Sequence, residues 1–249
     1  MQACSDDAGS EDAPEPLQVT PIGRMRTPFR QRFAIPRQPG LVSAVRGRLD
    51  LVAPYDRLEA WLGIEQFSHL WLLFGFHASQ TAAWQPTVRP PRLGGNQRVG
   101  VFASRSNFRP NPLGLSVVAL DRLAVAADRV QLEVRGVDLL DGTPVLDVKP
   151  YVPYADAYPA AQAAFAAEPP APRFTVRFTP QAAQAVAARA AAIPELREVL
   201  TCLLAFDPRP GYAAGRPGKG ERLATRLYDF DLHWCLQGDE ALVLRLVSQ

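Results

Sequence analysis

Residues 45–51, VRGRLDL, alternate strictly: Val45, Gly47, Leu49 and Leu51 fall on one side, Arg46, Arg48 and Asp50 on the other. A period of two sets one row of side chains against a core and the other in water, so the segment predicts a half-buried β-strand. The same grammar recurs outward along the chain. Residues 17–29, LQVTPIGRMRTPF, carry strand-like apolar positions up to Thr27-Pro28. After a short helical link around Leu58 to Leu62, residues 68–78, SHLWLLFGFHA, are apolar on both parities and predict a central strand covered on both faces. His69 and His77 would share a side of it, on the order of 27 Å apart and therefore unable to share a metal. Residues 115–123, LSVVALDRL, and 130–137, VQLEVRGV, predict two strands joined by a turn at Ala127-Asp128, and Asp141-Gly142 supplies a further turn, with Asp138 and Asp147 close by in sequence. Short strands, turns and little helix predict a mostly β, antiparallel barrel or sandwich over residues 17–155.

Composition bounds the rest. The chain has 249 residues, 47% of them hydrophobic, enough for a sizeable core. Residues 1–16 hold Asp6, Asp7, Glu11, Asp12 and Glu15 without a Lys or Arg and almost no large apolar residue, which predicts a disordered acidic tail. Removing those five charges from a net of +2 leaves the remainder at +7, a moderately basic body suited to a polyanion. No apolar run approaches a membrane span and the N-terminus lacks the layout of a signal peptide, so a soluble, cytoplasmic protein is expected. Cys4, Cys202 and Cys235 have no paired spacing, and neither a disulfide framework nor a metal site is expected.

The composition shifts at Ala155, and residues 156–172 resemble a linker. Residues 173–249 predict a small α+β unit. RFTVRF reads as a strand, Pro180 as a helix N-terminus, and Pro194 as a break before ELREVLTCLLAF resumes the helix. DPRPGYAAGRPGKGERL reads as a loop bearing Arg209, Arg216, Lys219 and Arg222. LYDFDLHW, with Tyr228, Phe230, Leu232 and Trp234 on one face, then pairs with ALVLRLV.

One stretch is built differently. Residues 84–114, WQPTVRPPRLGGNQRVGVFASRSNFRPNPLG, contain Arg89, Arg92, Arg98, Arg105 and Arg109, and no Asp or Glu lies anywhere between Glu65 and Asp121. Prolines and glycines stiffen the backbone while the arginines supply positive charge, predicting two rigid basic loops around a short strand, Val99 to Ala103. A second constrained loop, QRFAIPRQPGL, holds Arg37 and Gln38 between Pro36 and Pro39-Gly40. No P-loop, G-x-G-x-x-G, G-x-S-x-G or metal-ligand cluster accompanies them, and Ser104 and Ser106 read as hydrogen-bonding groups. Stiff loops presenting backbone groups, arginines and a carboxylate turn suit group transfer from a bound cofactor, where positioning does most of the work.

PRQPGLV, EQFSHLWLLFGFHA, TVRPPRLGGNQRVGVFASRSNFRPNPLGLS, VDLLDGTPVLDVKPY, DPRPGY and YDFDLHW, in this order from about Leu17 to Trp234, resemble the tRNA N6-threonylcarbamoyladenosine methyltransferase family. The resemblance implies a single-sheeted β-barrel that binds S-adenosyl-L-methionine outside any Rossmann fold, a small C-terminal domain assisting tRNA binding, and a homodimer. It implies N6-methylation of threonylcarbamoyladenosine at position 37 of the anticodon loop, with threonine tRNA the expected substrate. Carried over by motif, the cofactor site comprises Arg37, Gln38, Pro39, His77, Ala78, Arg105, Leu115, Asp141, Gly142, Thr143 and Pro144.

Because the threonylcarbamoyl carbonyl acidifies the acceptor N–H, a weak base could assist proton loss, and Asp141 is the candidate. Arg89, Arg92, Arg109, Arg209 and Tyr212 are expected to line the anticodon-loop surface by phosphate pairing and base stacking. An internal brace of the Pro-rich loop is the competing role for each arginine. Two other functions fit the same features: a non-catalytic RNA-binding barrel, and methyl transfer to a small molecule.

Overall fold

The computed structural model describes residues 15–79, 84–126, 129–209 and 218–249. Most of the acidic tail, the Ala127-Asp128 turn, Tyr212 and Arg216 lie outside the described residues.

Strands β1 (Gly23–Arg26), β2 (Arg46–Leu51) and β3 (His69–Gly75) begin the chain. A small ribbon follows, β4 (Thr87–Val88) with β5 (Val99–Gly100), and then β6 (Leu113–Ala126), β7 (Arg129–Arg135) and β8 (Pro144–Pro150). Six strands close into a barrel in the order β1-β2-β7-β6-β3-β8, every neighbour antiparallel. The alternation in VRGRLDL is realised: Val45 and Leu49 are fully buried while Arg46 and Arg48 face out. Met25, Leu49, Leu70, Leu72, Leu132 and Leu139 fill the interior, each burial contributing about 1.5–3 kcal/mol before entropy is counted.

β3 departs from expectation. It is hydrogen-bonded on both edges, but only Leu70, Leu72 and Phe74 point inward, while Trp71 and Leu73 are half-buried. A barrel has one interior, so the outward Trp71 is covered instead by the chain leaving β8: its Nε1 donates to Asp156 at 3.0 Å and its ring lies 5.8 Å from that of Tyr151. His69 and His77 do not share a side, because the strand ends at Gly75 and His77 opens a separate 3-10 turn. At the start of β6, Gly114 is required by packing, since a Cβ there would lie 2.3 Å from the Phe74 ring.

The chain leaves β8 through the short helix α1 (Pro153–Asp156) and runs irregularly to β9 (Thr175–Phe178). Helix α2 (Pro180–Ala188) starts as read, with Pro180 in its first turn and Thr179 Oγ1 accepting the Ala182 N–H at 3.2 Å. Helix α3 (Leu196–Ala205) follows Pro194, burying Leu196, Val199, Leu200, Leu203 and Leu204. Strands β10 (Gly218–Leu227), β11 (Phe230–Gly238) and β12 (Glu240–Ser248) complete a sheet of order β10-β11-β12-β9, with β9 parallel to β12.

Two readings change here. Residues 218–223, expected in a loop, open β10, and Tyr228 is in the hairpin turn at φ 50° instead of on the strand with Phe230. The inward row of β10 is Leu223, Thr225 and Leu227, and the buried Thr225 accepts the Trp234 Nε1–H at 3.1 Å.

Candidate active site

Antiparallel neighbours alternate in direction around the barrel, so the C-termini of β1, β3 and β7 and the N-termini of β2, β6 and β8 share one end. Three connections therefore project from that end: residues 27–45, 76–112 and 136–143. Every residue of the expected cofactor set lies on one of them or within the first residues of the strand it leads into.

The first connection is pinned to the third. Gly40 N–H donates to Gly136 O and Gly136 N–H to Val45 O, both at 2.8 Å, which fixes the PRQPG turn at the exit of β7. Arg37 donates through Nη2 to the Arg209 carbonyl at 3.3 Å, and Gln38 Oε1 accepts from Arg105 Nη1 at 2.7 Å. Arg105 is on the second connection, so sequence segments 67 residues apart meet at this bond.

The second connection closes on itself where Phe76 N–H donates to Pro112 O at 2.8 Å. His77 and Ala78 occupy the 3-10 turn after β3, and the partly buried His77 is held below its ordinary pKa, first by desolvation and then by Arg24, with Asp141 opposing and Arg32 adding the smallest effect. Its neutral imidazole is therefore favoured. Leu115 stands on β6 opposite Leu73 with 54% of its surface exposed.

The expected barrel strand Val99 to Ala103 does not exist. Val99–Gly100 pairs only with Thr87–Val88 in the ribbon outside the barrel, and Val101–Ala103 is a 3-10 turn. The run buries Val101 and leaves Phe102 72% exposed, so it lacks the apolar face a barrel strand needs. Arg109 donates to the carbonyls of Val101 (3.1 Å) and Ser104 (2.8 Å) and lies 5.3 Å from the Phe102 ring centroid, the geometry of an internal brace. Ser104 Oγ donates to Val101 O at 2.9 Å and accepts the Ser106 N–H at 3.2 Å, the hydrogen-bonding role read from its loop.

The third connection is the carboxylate turn. Gly142, at φ 77°, donates its N–H to Met25 O at 2.8 Å, and its carbonyl accepts from Arg24 at 3.2 Å. Thr143 is buried, its hydroxyl bonded to Leu140 O, and Pro144 pairs with Arg24. Asp141 is not placed as a free base. Its Oδ1 accepts the Thr27 N–H at 3.0 Å and its Oδ2 is ion-paired with Arg30, so the side chain clamps this turn to the exit of β1.

The carboxylate that stands free is Asp138. Its Oδ1 accepts from Ser116 Oγ at 2.7 Å, and no cation among the described residues comes within ion-pairing distance. Burial pushes its pKa up to about 6, against the Ser116 bond, its own backbone N–H and the field of Arg105. The readable signal was a lone carboxylate inside an apolar run, Val137-Asp138-Leu139-Leu140.

The arginines expected on RNA divide. Arg89 is exposed and has no hydrogen-bond or ion partner among the described residues. Arg92 donates to the Glu168 carbonyl of the connecting segment. The Arg209 side chain is only 11% exposed, paired with Asp207 at 2.7 Å and set over the Phe174 ring, which makes it a brace of the C-terminal unit. That unit leans on the same barrel end: Tyr228 N–H donates to Pro28 O at 2.8 Å and Arg46 pairs with Glu195 at 3.1 Å.

Residues 24–157 match the family model for the tRNA-methyltransferase O N-terminal domain, and residues 171–249 match the TrmO C-terminal domain. A tRNA (adenine(37)-N6)-methyltransferase of Escherichia coli (strain K12) is 46% identical over 218 residues, covering 88% of this chain and 92% of that protein. A Pseudomonas aeruginosa protein named "Putative S-adenosylmethionine-dependent methyltransferase RcsF" is 48% identical over 217 residues, covering 87% and 91%. A crystal structure of TrmO from Pseudomonas aeruginosa superposes with a TM-score of 0.78 at 39% identity, covering 94% of this chain and 99% of that one.

Proposed function

This chain belongs to the tRNA-methyltransferase O family, and on that premise we propose that its loop-bearing barrel end is the site of an S-adenosylmethionine-dependent tRNA (adenine-37-N6)-methyltransferase. The observation that supports this most is the convergence of the three connections, joined by the Arg105–Gln38 bond and by Gly40 on Gly136, at one mouth of a closed barrel.

The donor set fits S-adenosylmethionine. Arg37 and Arg105 offer cationic donors for a carboxylate, neutral His77 and Ala78 a wall at the end of β3, the Asp141–Pro144 turn a rigid backbone edge, and Gly142 open space where a Cβ would stand. When bound, the cofactor supplies an activated methyl group on a sulfonium. The chain's part is positional: stiff, cross-linked loops hold donor and acceptor in line, an arrangement that can supply about 7–11 kcal/mol of the barrier. Asp141, occupied by Thr27 and Arg30, keeps the turn in place.

The acceptor we propose is N6 of threonylcarbamoyladenosine, with threonine tRNA as substrate. Their exposure supports Arg89, Arg92 and Arg98 as the arginines that meet backbone phosphates, and their internal bonds support a role for Arg109 and Arg209 in shaping the surface from within. We also infer a homodimer working in the cytoplasm; the exposed Phe102 and Leu113 at the rim, which a second copy would cover, support the dimer. Sedimentation at several concentrations checks it.

Incubation with methyl-labelled S-adenosylmethionine and tRNA, with and without the threonylcarbamoyl group, tests the reading. Label at adenosine 37 only in the modified tRNA is expected. Label on neither tRNA overturns the assignment, and label on both removes the threonylcarbamoyl requirement.

A further inference from the structure

The ring of loops is rich in cations and nearly bare of free anions. Arg24, Arg30, Arg32, Arg37 and Arg105 all lie on β1 or on the three connections, and one of the two carboxylates there, Asp141, is neutralised by Arg30. Asp138 is the exception. It sits on the connection that also carries Asp141 to Thr143, bonded at 2.7 Å to Ser116, whose side chain points into the barrel while that of Leu115 beside it faces out. Ser116 is 2% exposed, so the carboxylate is fixed against the barrel wall. Arg105, the charged group that acts on it, is committed to Gln38 at 2.7 Å. His77, from the β3 exit, responds to Arg24, Arg32 and Asp141 instead.

We propose that Asp138 is the counter-charge by which this site favours the cationic methyl donor over its demethylated product, whose sulfur is neutral. The inference rests on the cofactor reading above. Donor and product differ by one methyl and one positive charge, so shape discriminates weakly between them and a fixed unit charge does so directly. A sulfonium held within about 10 Å of it would, at an effective dielectric constant of about 20, be preferred about tenfold or more. The same charge would hasten release, because the product loses the attraction as the methyl leaves. A partly desolvated carboxyl poised near pH 6 adds a signature: an arriving cation favours its ionised form, so donor binding expels a proton from Asp138 and product binding does not.

Calorimetric titration of the whole protein with S-adenosylmethionine and, separately, S-adenosylhomocysteine, at pH 6 in buffers of different ionisation enthalpy, tests this without turnover. Release of a fraction of a proton on donor binding alone is expected. Asp138→Asn, which can still accept from Ser116, should abolish that release and weaken donor affinity about tenfold while leaving product affinity within twofold. Equal proton release for both ligands, or an unchanged affinity ratio in the variant, overturns the inference and leaves the cofactor reading standing. Failure of the wild-type protein to bind either ligand overturns both. The wild-type comparison needs no variant, so it decides the matter even where Asp138→Asn does not fold.

Discussion

Arg105 donates from Nη1 to the side-chain carbonyl of Gln38 at 2.7 Å, joining two loops that belong to different connections of the barrel. Neither residue has a strand to hold it, so the bond is what fixes the mutual position of the PRQPG turn and the ASRS loop. Gln38→Ala and Arg105→Ala should each reduce S-adenosylmethionine affinity, and the double variant should lose less than the sum, with a coupling of about 1 kcal/mol. Strict additivity in a calorimetric double-mutant cycle would show that the loops are positioned independently.

Asp138 should make the unliganded protein less stable at neutral pH. A carboxyl whose folded pKa of about 6 exceeds its ordinary value of 3.8 favours folding in its protonated form, so its contribution is fully present below pH about 4 and is lost as pH rises through 6. Asp138→Asn stays neutral and escapes that loss. It should gain about 3 kcal/mol at pH 7.5 and under about 1 kcal/mol at pH 4, read as a Tm difference that widens with pH.

Arg109 and Arg89 should separate cleanly. Arg109→Ala removes two carbonyl bonds and the contact with Phe102, so a loss of about 1–3 kcal/mol in stability is expected. Arg89→Ala should leave Tm unchanged, weaken tRNA binding and reduce the salt slope by about 1. Identical behaviour of the two variants would refute the division between brace and phosphate contact.

Asp141→Asn should act on the turn. Loss of the Arg30 pair and a weaker bond from Thr27 N–H are expected to cost about 1–3 kcal/mol and to raise the half-saturating cofactor concentration, with turnover at saturation close to wild type. A large fall in saturated turnover at normal Tm would restore the base role to this residue.

Gly114→Ala tests the packing beneath Leu115. The added methyl would meet the Phe74 ring, so a destabilisation of about 1–3 kcal/mol is expected, and Leu115→Ala, exposed at its position, should cost far less.

Much of the barrel was legible because alternation is a local property. Val45 to Leu51 shows it in seven residues, and the helix start at Thr179-Pro180 and the turn at Asp141-Gly142 are equally local. Val99 to Ala103 misled for the same reason: its apolar run is real, but only the missing barrel partner tells a ribbon and a 3-10 turn from a wall strand. β10 hid because its first residues, GKGER, are glycine-rich and charged like a loop, and only their pairing with β11 makes them a strand.

The amino-acid sequence alone determined the strand rhythm, the two-part chain, the stiff basic loops and, through long ordered motifs, the family. Those depend on covalent neighbours and period. The closed barrel decided what each site residue can do, because charge and hydrogen-bond partners are shared across distant segments. Arg30 and Thr27 take up Asp141, Val101 and Ser104 take up Arg109, Asp207 takes up Arg209, and Asp138, bonded to Ser116, is left with its charge unpaired among the described residues.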